Sequence, residues 1–294
     1  MQSSEELHRQ ISSTEDLQSV VKTMKALAAV NIRQYERAAQ SIQGYFKIAE
    51  QGLQVILASR PELTIEARPA PIRSMGALVF GSDQGLCGPL NEQVAQHTID
   101  TLHALGMDQR TTTIQAVGER AAFSLAAMGW PVQQILHVPG SLDGITPLIQ
   151  GLVTTIESWS RDLAGATQVY LFYSEPVRGT SSQPDSFRLL PIDQAWLREI
   201  RKKPWPTRMI PLYTMDWEAL FSLLVREYLF ATLFRALADS LASENAQRLA
   251  AMERAERNIE ERLSDLHSTF HEIRQTSITD ELLTIVGGFE ALEH

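Results

Sequence analysis

LHRQISSTEDLQSVVKTMKALAAVNIRQYERAAQSIQGYFKIAEQGLQVI (Leu7–Ile56) is the stretch whose reading decides the fold. It holds no proline, and apolar or small side chains recur at alternating steps of three and four: Leu7, Ile11, Thr14, Leu17, Val21, Met24, Ala28 and onward through Leu53 and Ile56. That spacing lays one apolar stripe on a helix, and its period near 3.5 residues predicts a left-handed supercoil with a partner helix. From Glu5 to about Leu57 the rise is roughly 80 Å, far beyond the usual helix of three or four turns.

The partner is predicted at the other end of the chain, from Trp217 to about Val286. Leu220, Leu224, Phe234, Ala238, Leu241, Asn245, Leu249, Met252, Ile259, Leu266, Phe270, Ile273 and Ser277 share one seam there, and Gly287-Gly288 is expected to end the helix. If one compact domain joins the two helices, they must run antiparallel. The longer one should then overhang by about 30 Å, at 1.5 Å per residue.

Between the helices the pattern changes. Arg60–Arg73 carries Pro61, Pro69 and Pro71 and reads as a connector. Short strands are predicted at Gly76–Phe80, Thr111–Val117, Val132–Val138 and Gln168–Tyr173, with another near Phe187–Pro191. Helical patterns at Asn91–Leu105, Glu119–Met128 and Ile145–Leu163 alternate with them. The expected class is α/β: a long antiparallel coiled coil from the two termini plus a central Rossmann-like α/β domain with a largely parallel sheet. The expected division is 1–58 coiled-coil helix, 59–73 linker, 74–212 central domain, 213–288 coiled-coil helix and 289–294 tail.

Bulk properties exclude several classes. The net charge of −9 over 294 residues argues against a general nucleic-acid binder, which needs surplus Lys and Arg to neutralise phosphates. No apolar run approaches the roughly 20 residues needed to cross a bilayer, so no membrane insertion is expected. The first residues, MQSSEELHRQ, lack the basic and apolar regions of a signal peptide, so a cytoplasmic address is expected. The single cysteine, Cys87, allows no internal disulfide.

Few motifs carry chemistry. The strand-to-helix loop Gly81-Ser82-Asp83-Gln84-Gly85-Leu86-Cys87-Gly88 sits where glycine-rich loops cradle phosphates, but no P-loop lysine follows and the spacing is not the dinucleotide fingerprint. A tight turn built on Gly81, Gly85 and Gly88 is the better reading. His267 and His271 stand four apart, yet the glutamate of a zinc-protease helix is missing between them. No metal, cofactor or catalytic site is expected. The basic residues Arg198, Arg201, Lys202, Lys203 and Arg208, interleaved with Trp196 and Trp205, could dock an acidic surface or lie in a solvated loop.

Three segments together resemble one family, the gamma subunits of F-type ATP synthase. VVKTMKALAAVNIRQYERA (Val20–Ala38) resembles their amino-terminal helix and GSDQGLCGPLN (Gly81–Asn91) their glycine loop. SENAQRLAAMERA (Ser243–Ala255) with RQTSITDELLTIVGGFEAL (Arg274–Leu292) resembles their carboxy-terminal signature. The resemblance implies a central rotor stalk inside three alpha and three beta subunits, with a foot bound to epsilon and to the membrane c-ring. It implies alpha and beta contacts at Met24, Arg274, Gln275, Thr279 and Glu281, and foot contacts at Lys203 and Trp205. By the same resemblance the chain is a non-catalytic subunit at the cytoplasmic face of a bacterial or archaeal plasma membrane. Gln84 stands where the family has arginine and Pro89 where it has a small residue. With the proline-rich 203–211 segment, these departures point to a divergent, sodium-associated member. Two other readings are a coiled-coil adaptor and a nucleotide-binding α/β enzyme.

Overall fold

The computed structural model describes residues 4–59, 74–162, 167–177, 181–206, 208–209 and 211–290. The predicted connector at 60–73 and the end of the tail lie outside the described residues.

Two long helices bracket the chain, α1 (Ser4–Ser59) and α6 (Trp217–Glu290). Between them lie β1 (Ser74–Phe80), α2 (Leu90–Ala104), β2 (Thr112–Val117), α3 (Glu119–Ala127), β3 (Gln134–Leu136), α4 (Ile145–Asp162), β4 (Thr167–Pro176), β5 (Ser182–Leu190) and α5 (Gln194–Lys202). The fold is the expected mixture of α/β domain and long terminal helices. Residues divide into two compact units, one of 1–28 with 249–294 and the other of 29–248.

In the larger unit the sheet order is β3-β2-β1-β4-β5, with β1, β2, β3 and β4 parallel and β5 antiparallel to β4. β1 is central and covered on both faces, hence its unbroken apolar run. Alternate residues serve opposite layers: Met75, Ala77 and Val79 pack with α2 and α3, while Leu78 and Phe80 face α4 and α6. The second layer is also where α1 joins, through Tyr35, Leu53 and Ile56. Here α1 and α6 run antiparallel: Trp217 Nε1 donates to the Ile56 carbonyl at 3.0 Å, and Asn31 Nδ2 donates to Asn245 Oδ1 at 3.3 Å. The close contact of Ala38 and Ala39 with Ala238 needs small side chains.

In the smaller unit the same two helices pack antiparallel without a sheet. Leu7 and Ile11 cluster with Leu266, and Val21 with Met252 and Ile259. Lys25 Nζ donates to Glu256 Oε2 at 2.8 Å. Ile273 is the last apolar side chain of α6 packed beside α1 among the described residues.

The structure corrects three expectations. Leu17 is 52% exposed, because a strict three-four alternation puts half-buried Gln18, not Leu17, on the seam between Thr14 and Val21. Ser277 is exposed, since the packed seam ends at Ile273. The helix also runs through Gly287-Gly288 to Glu290, since glycine weakens a helix by about 1 kcal/mol without removing a hydrogen-bond donor as proline does. The basic residues 198–202 form the end of α5, capped by the Asp193 carboxylate, which accepts from the Ala195 amide at 2.8 Å.

Candidate functional site: two helix surfaces and a filled crevice

An open α/β sheet binds ligands outside the carboxyl ends of its strands, where the strand order reverses. Here that place lies between β1 and β4, and the glycine loop leaves β1 toward it. The first two amides of that loop are engaged within the chain. Gly81 N donates to the Val117 carbonyl at 2.8 Å and Ser82 N to Asn91 Oδ1 at 3.0 Å. Asp83 Oδ1 accepts from the Glu119 amide at the start of α3 at 3.0 Å, and its Oδ2 accepts from Val138 N at 2.9 Å.

From the other side α6 reaches over the same edge. Ser243 Oγ donates to the Ser174 carbonyl at 3.0 Å, and Gln247 Nε2 to Ser182 Oγ at 2.8 Å. Arg248 Nη2 donates to Glu244 Oε1 at 2.8 Å and approaches the Gln84 and Gly85 carbonyls at 3.5 and 3.4 Å. Glu244 and Arg248 are both buried, and burial pushes the Glu244 carboxyl above its ordinary range although Arg248 opposes the shift. Cys87 is buried in the same cluster, and burial raises its thiol pKa, the reverse of a reactive nucleophile.

The three loop glycines differ. A Cβ on Gly81 would fall 2.4 Å from Ala121 Cβ. Gly88 has φ +60 and lies against Gln247 Oε1. Gly85 needs neither room nor a left-handed backbone; its neighbour Leu86 takes φ 63 instead. The loop's sharp bend therefore falls one residue later than glycine spacing suggests.

The partner-contact residues fall in two groups. In the smaller unit Met24 is half-buried against the Val21, Met252 and Ile259 cluster. Arg274, Gln275, Thr279 and Glu281 lie on α6 past Ile273, where every residue from Arg274 to Leu283 is exposed. Ile278, Leu282, Leu283 and Ile285 are exposed beside them, a feature that sequence reading left unremarked. In the larger unit Lys203 Nζ pairs with Glu50 Oε1 at 2.7 Å, and its carbonyl accepts from Gln54 Nε2. Trp205 Nε1 donates to the Met209 carbonyl at 2.8 Å. Both foot residues are thus tied inside the chain, and the side chains presented outward beyond them are Met209 and Leu212, 83% and 98% exposed. His267 and His271 are exposed, and among the described residues no group of three or more His, Cys, Asp or Glu is placed to hold a metal. No helix among those residues is long and apolar enough to cross a membrane.

A protein-family profile described as ATP synthase matches residues 3–292. Solved structures share the fold. A chain of the Tetrahymena thermophila mitochondrial ATP synthase central stalk and c-ring superposes with TM-score 0.59 at 21% identity, covering 80% of this chain and 99% of that one. A chain of the Euglena gracilis mitochondrial ATP synthase rotor gives TM-score 0.60 at 15% identity, covering 92% and 97%. Another, from the Euglena gracilis OSCP/F1/c-ring assembly, gives 0.62 at 16%, covering 98% and 94%. With a match spanning both long helices and the α/β domain between them, the chain belongs to the F-type ATP synthase gamma family, the central-stalk component of an ATP-synthesising and ATP-hydrolysing complex.

Proposed function

We propose that this central-stalk chain transmits rotation between a membrane c-ring and three catalytic beta subunits, and carries no catalytic site of its own. The observation that carries the reading is the end of α6. Past Ile273, the last residue of α6 packed beside α1 among the described residues, the helix runs about 25 Å further to Glu290, at 1.5 Å per residue, with Ile278, Leu282, Leu283 and Ile285 exposed. Apolar side chains on an unaccompanied helix lose their driving force unless an outside surface covers them. A sleeve of alpha and beta subunits supplies that surface. Arg274, Gln275, Thr279 and Glu281 are its polar contacts, and Met24 meets beta on the paired section.

The other end of the machine is the α/β domain, residues 74–212. Epsilon and the c-ring meet the chain there, with Lys203 and Trp205 among the contacts. The filled crevice supports the absence of a nucleotide site, because α6 side chains stand where a nucleotide would lie. The molecule then belongs at the cytoplasmic face of a bacterial or archaeal membrane. The coupled ion, proton or sodium, is chosen by ligands of the ring.

Co-purification tests the assembly: the chain should bring down alpha and beta in a gamma:alpha:beta ratio of about one to three to three, with epsilon. Recovery without them, or tight stoichiometric binding of ATP by the isolated chain, would overturn the reading.

A further inference from the structure

The crevice at the carboxyl end of β1 contains a feature that rotor function does not by itself require. Phosphate-binding loops aim N–H groups at their ligand. In this loop the Gly81 and Ser82 amides are engaged within the α/β layer, while the Gln84 and Gly85 carbonyls face the Arg248 guanidinium. A cation from α6 therefore stands against a loop whose Gln84 carbonyl also accepts from Ser82 Oγ at 2.9 Å.

Arg248 is 9% exposed and its partner Glu244 6%. Buried ion pairs are poor sources of stability, since desolvation cancels most of the attraction and apolar replacements are often neutral. Arg248 also keeps its Nε buried without a hydrogen-bond partner. Such an arrangement is explained by what it orients. The oriented object is strained: Leu86, between Gly85 and Cys87, holds φ 63 with its side chain 61% exposed, a backbone conformation that persists only where the surroundings impose it.

We infer that Arg248 is a positioning residue: held by Glu244 and set against the Gln84 and Gly85 carbonyls, it locks the glycine loop to α6, so that the α/β layer and residues 217–248 of α6 turn as one body. The importance of this lock for rotation rests on the central-stalk reading; the lock itself does not.

Hydrogen exchange on the full-length chain tests the lock directly. Arg248→Gln leaves the Glu244 carboxylate buried alone and lowers stability as well as order. The double variant Glu244→Gln with Arg248→Gln removes both charges and separates the two effects. Amides 84–88 of the double variant should exchange about tenfold faster while its urea midpoint stays at the wild-type value, and Arg248→Lys should recover part of the protection. Wild-type exchange in the double variant overturns the lock. In the assembled complex the double variant should hydrolyse ATP at the wild-type rate but move about twofold fewer ions per ATP. An unchanged ratio alongside faster exchange overturns the role in rotation and leaves the lock standing. Failure of the wild-type chain to assemble would sink the central-stalk reading, with the exchange result still deciding the lock.

Discussion

Two stretches of α6 differ in almost everything but secondary structure. Ala236–Ala246 is buried on every side except at half-buried Asp239, while Arg274–Leu283 is exposed on every side. The buried stretch is rich in small residues, Ala236, Ala238, Ser240, Ala242, Ser243 and Ala246, which let α1 and the sheet approach from opposite directions. The exposed stretch carries larger ones, Ile278, Leu282 and Leu283. Side-chain size thus tracks the nearness of neighbours within the chain, and large apolar groups in the open mark where a surface from outside is needed.

The sharpest way to break the contrast is to cut the same side chain in both places. Leu241→Ala in the buried stretch should lower unfolding stability by about 3 kcal/mol, read as a reduced urea midpoint with unchanged slope. A change below about 1 kcal/mol would mean that the site collapses easily.

Truncation after Arg274 removes the exposed stretch and should leave the unfolding midpoint in place, yet lower coupled ATP synthesis in the assembled complex by about tenfold, near 1.4 kcal/mol. Undiminished synthesis would show that nothing outside grips this surface.

Acid sharpens the comparison between the units through two glutamates of opposite sign. In the smaller unit the hydrogen bond from Lys25 holds the Glu256 carboxyl below its ordinary value. Its contribution is complete above the unfolded value of about 4.3 and is lost as pH falls through the lowered folded value. In the larger unit burial raises Glu244, so the folded chain binds that proton first. As pH falls through the raised value toward about 4.3, this group adds stability relative to neutral pH. Urea midpoints should fall less steeply with acid in Glu256→Gln and more steeply in Glu244→Gln than in the wild type. Parallel curves would contradict these environments.

Leu282→Ala should have the smallest effect, within about 0.5 kcal/mol in the free chain. A larger loss would reveal packing of the exposed end inside the isolated protein.

Much of this was legible because it depends on near neighbours in the chain. The run GALVF declares β1, since a central parallel strand is apolar on both faces. The three-four stripe declares α1 and α6, apart from its slip at Leu17, where an apolar residue stands one position off the seam. The α5 helix was harder to see, having only Leu197 and Ile200 buried among charges, although Asp193 in front of it was a usable cap signal. The lock was not legible at all. Arg248 and Glu244 look like any charged pair four apart on a helix, and it is neighbours distant in the chain, Tyr35 of α1 and the loop after β1 among them, that stand against them. Lys203 and Trp205 were singled out as contact residues without any sign of Glu50 or the Met209 carbonyl, partners that chain folding alone supplies.

The near-touch of Gly81 and Ala121 restricts how sequences with this backbone can vary. A Cβ at 81 would lie 2.4 Å from the one already present at 121 and 2.7 Å from Asn91 Oδ1, so a methyl fits there only if both neighbours give way. Any relative that acquires a side chain at 81 must lose the one at 121 and also shift or replace the amide at 91, or part α3 from β1. The crowding is an exclusion rule written across forty positions of chain, and it should surface as glycine kept at 81 wherever a methyl at 121 and an amide at 91 stand together.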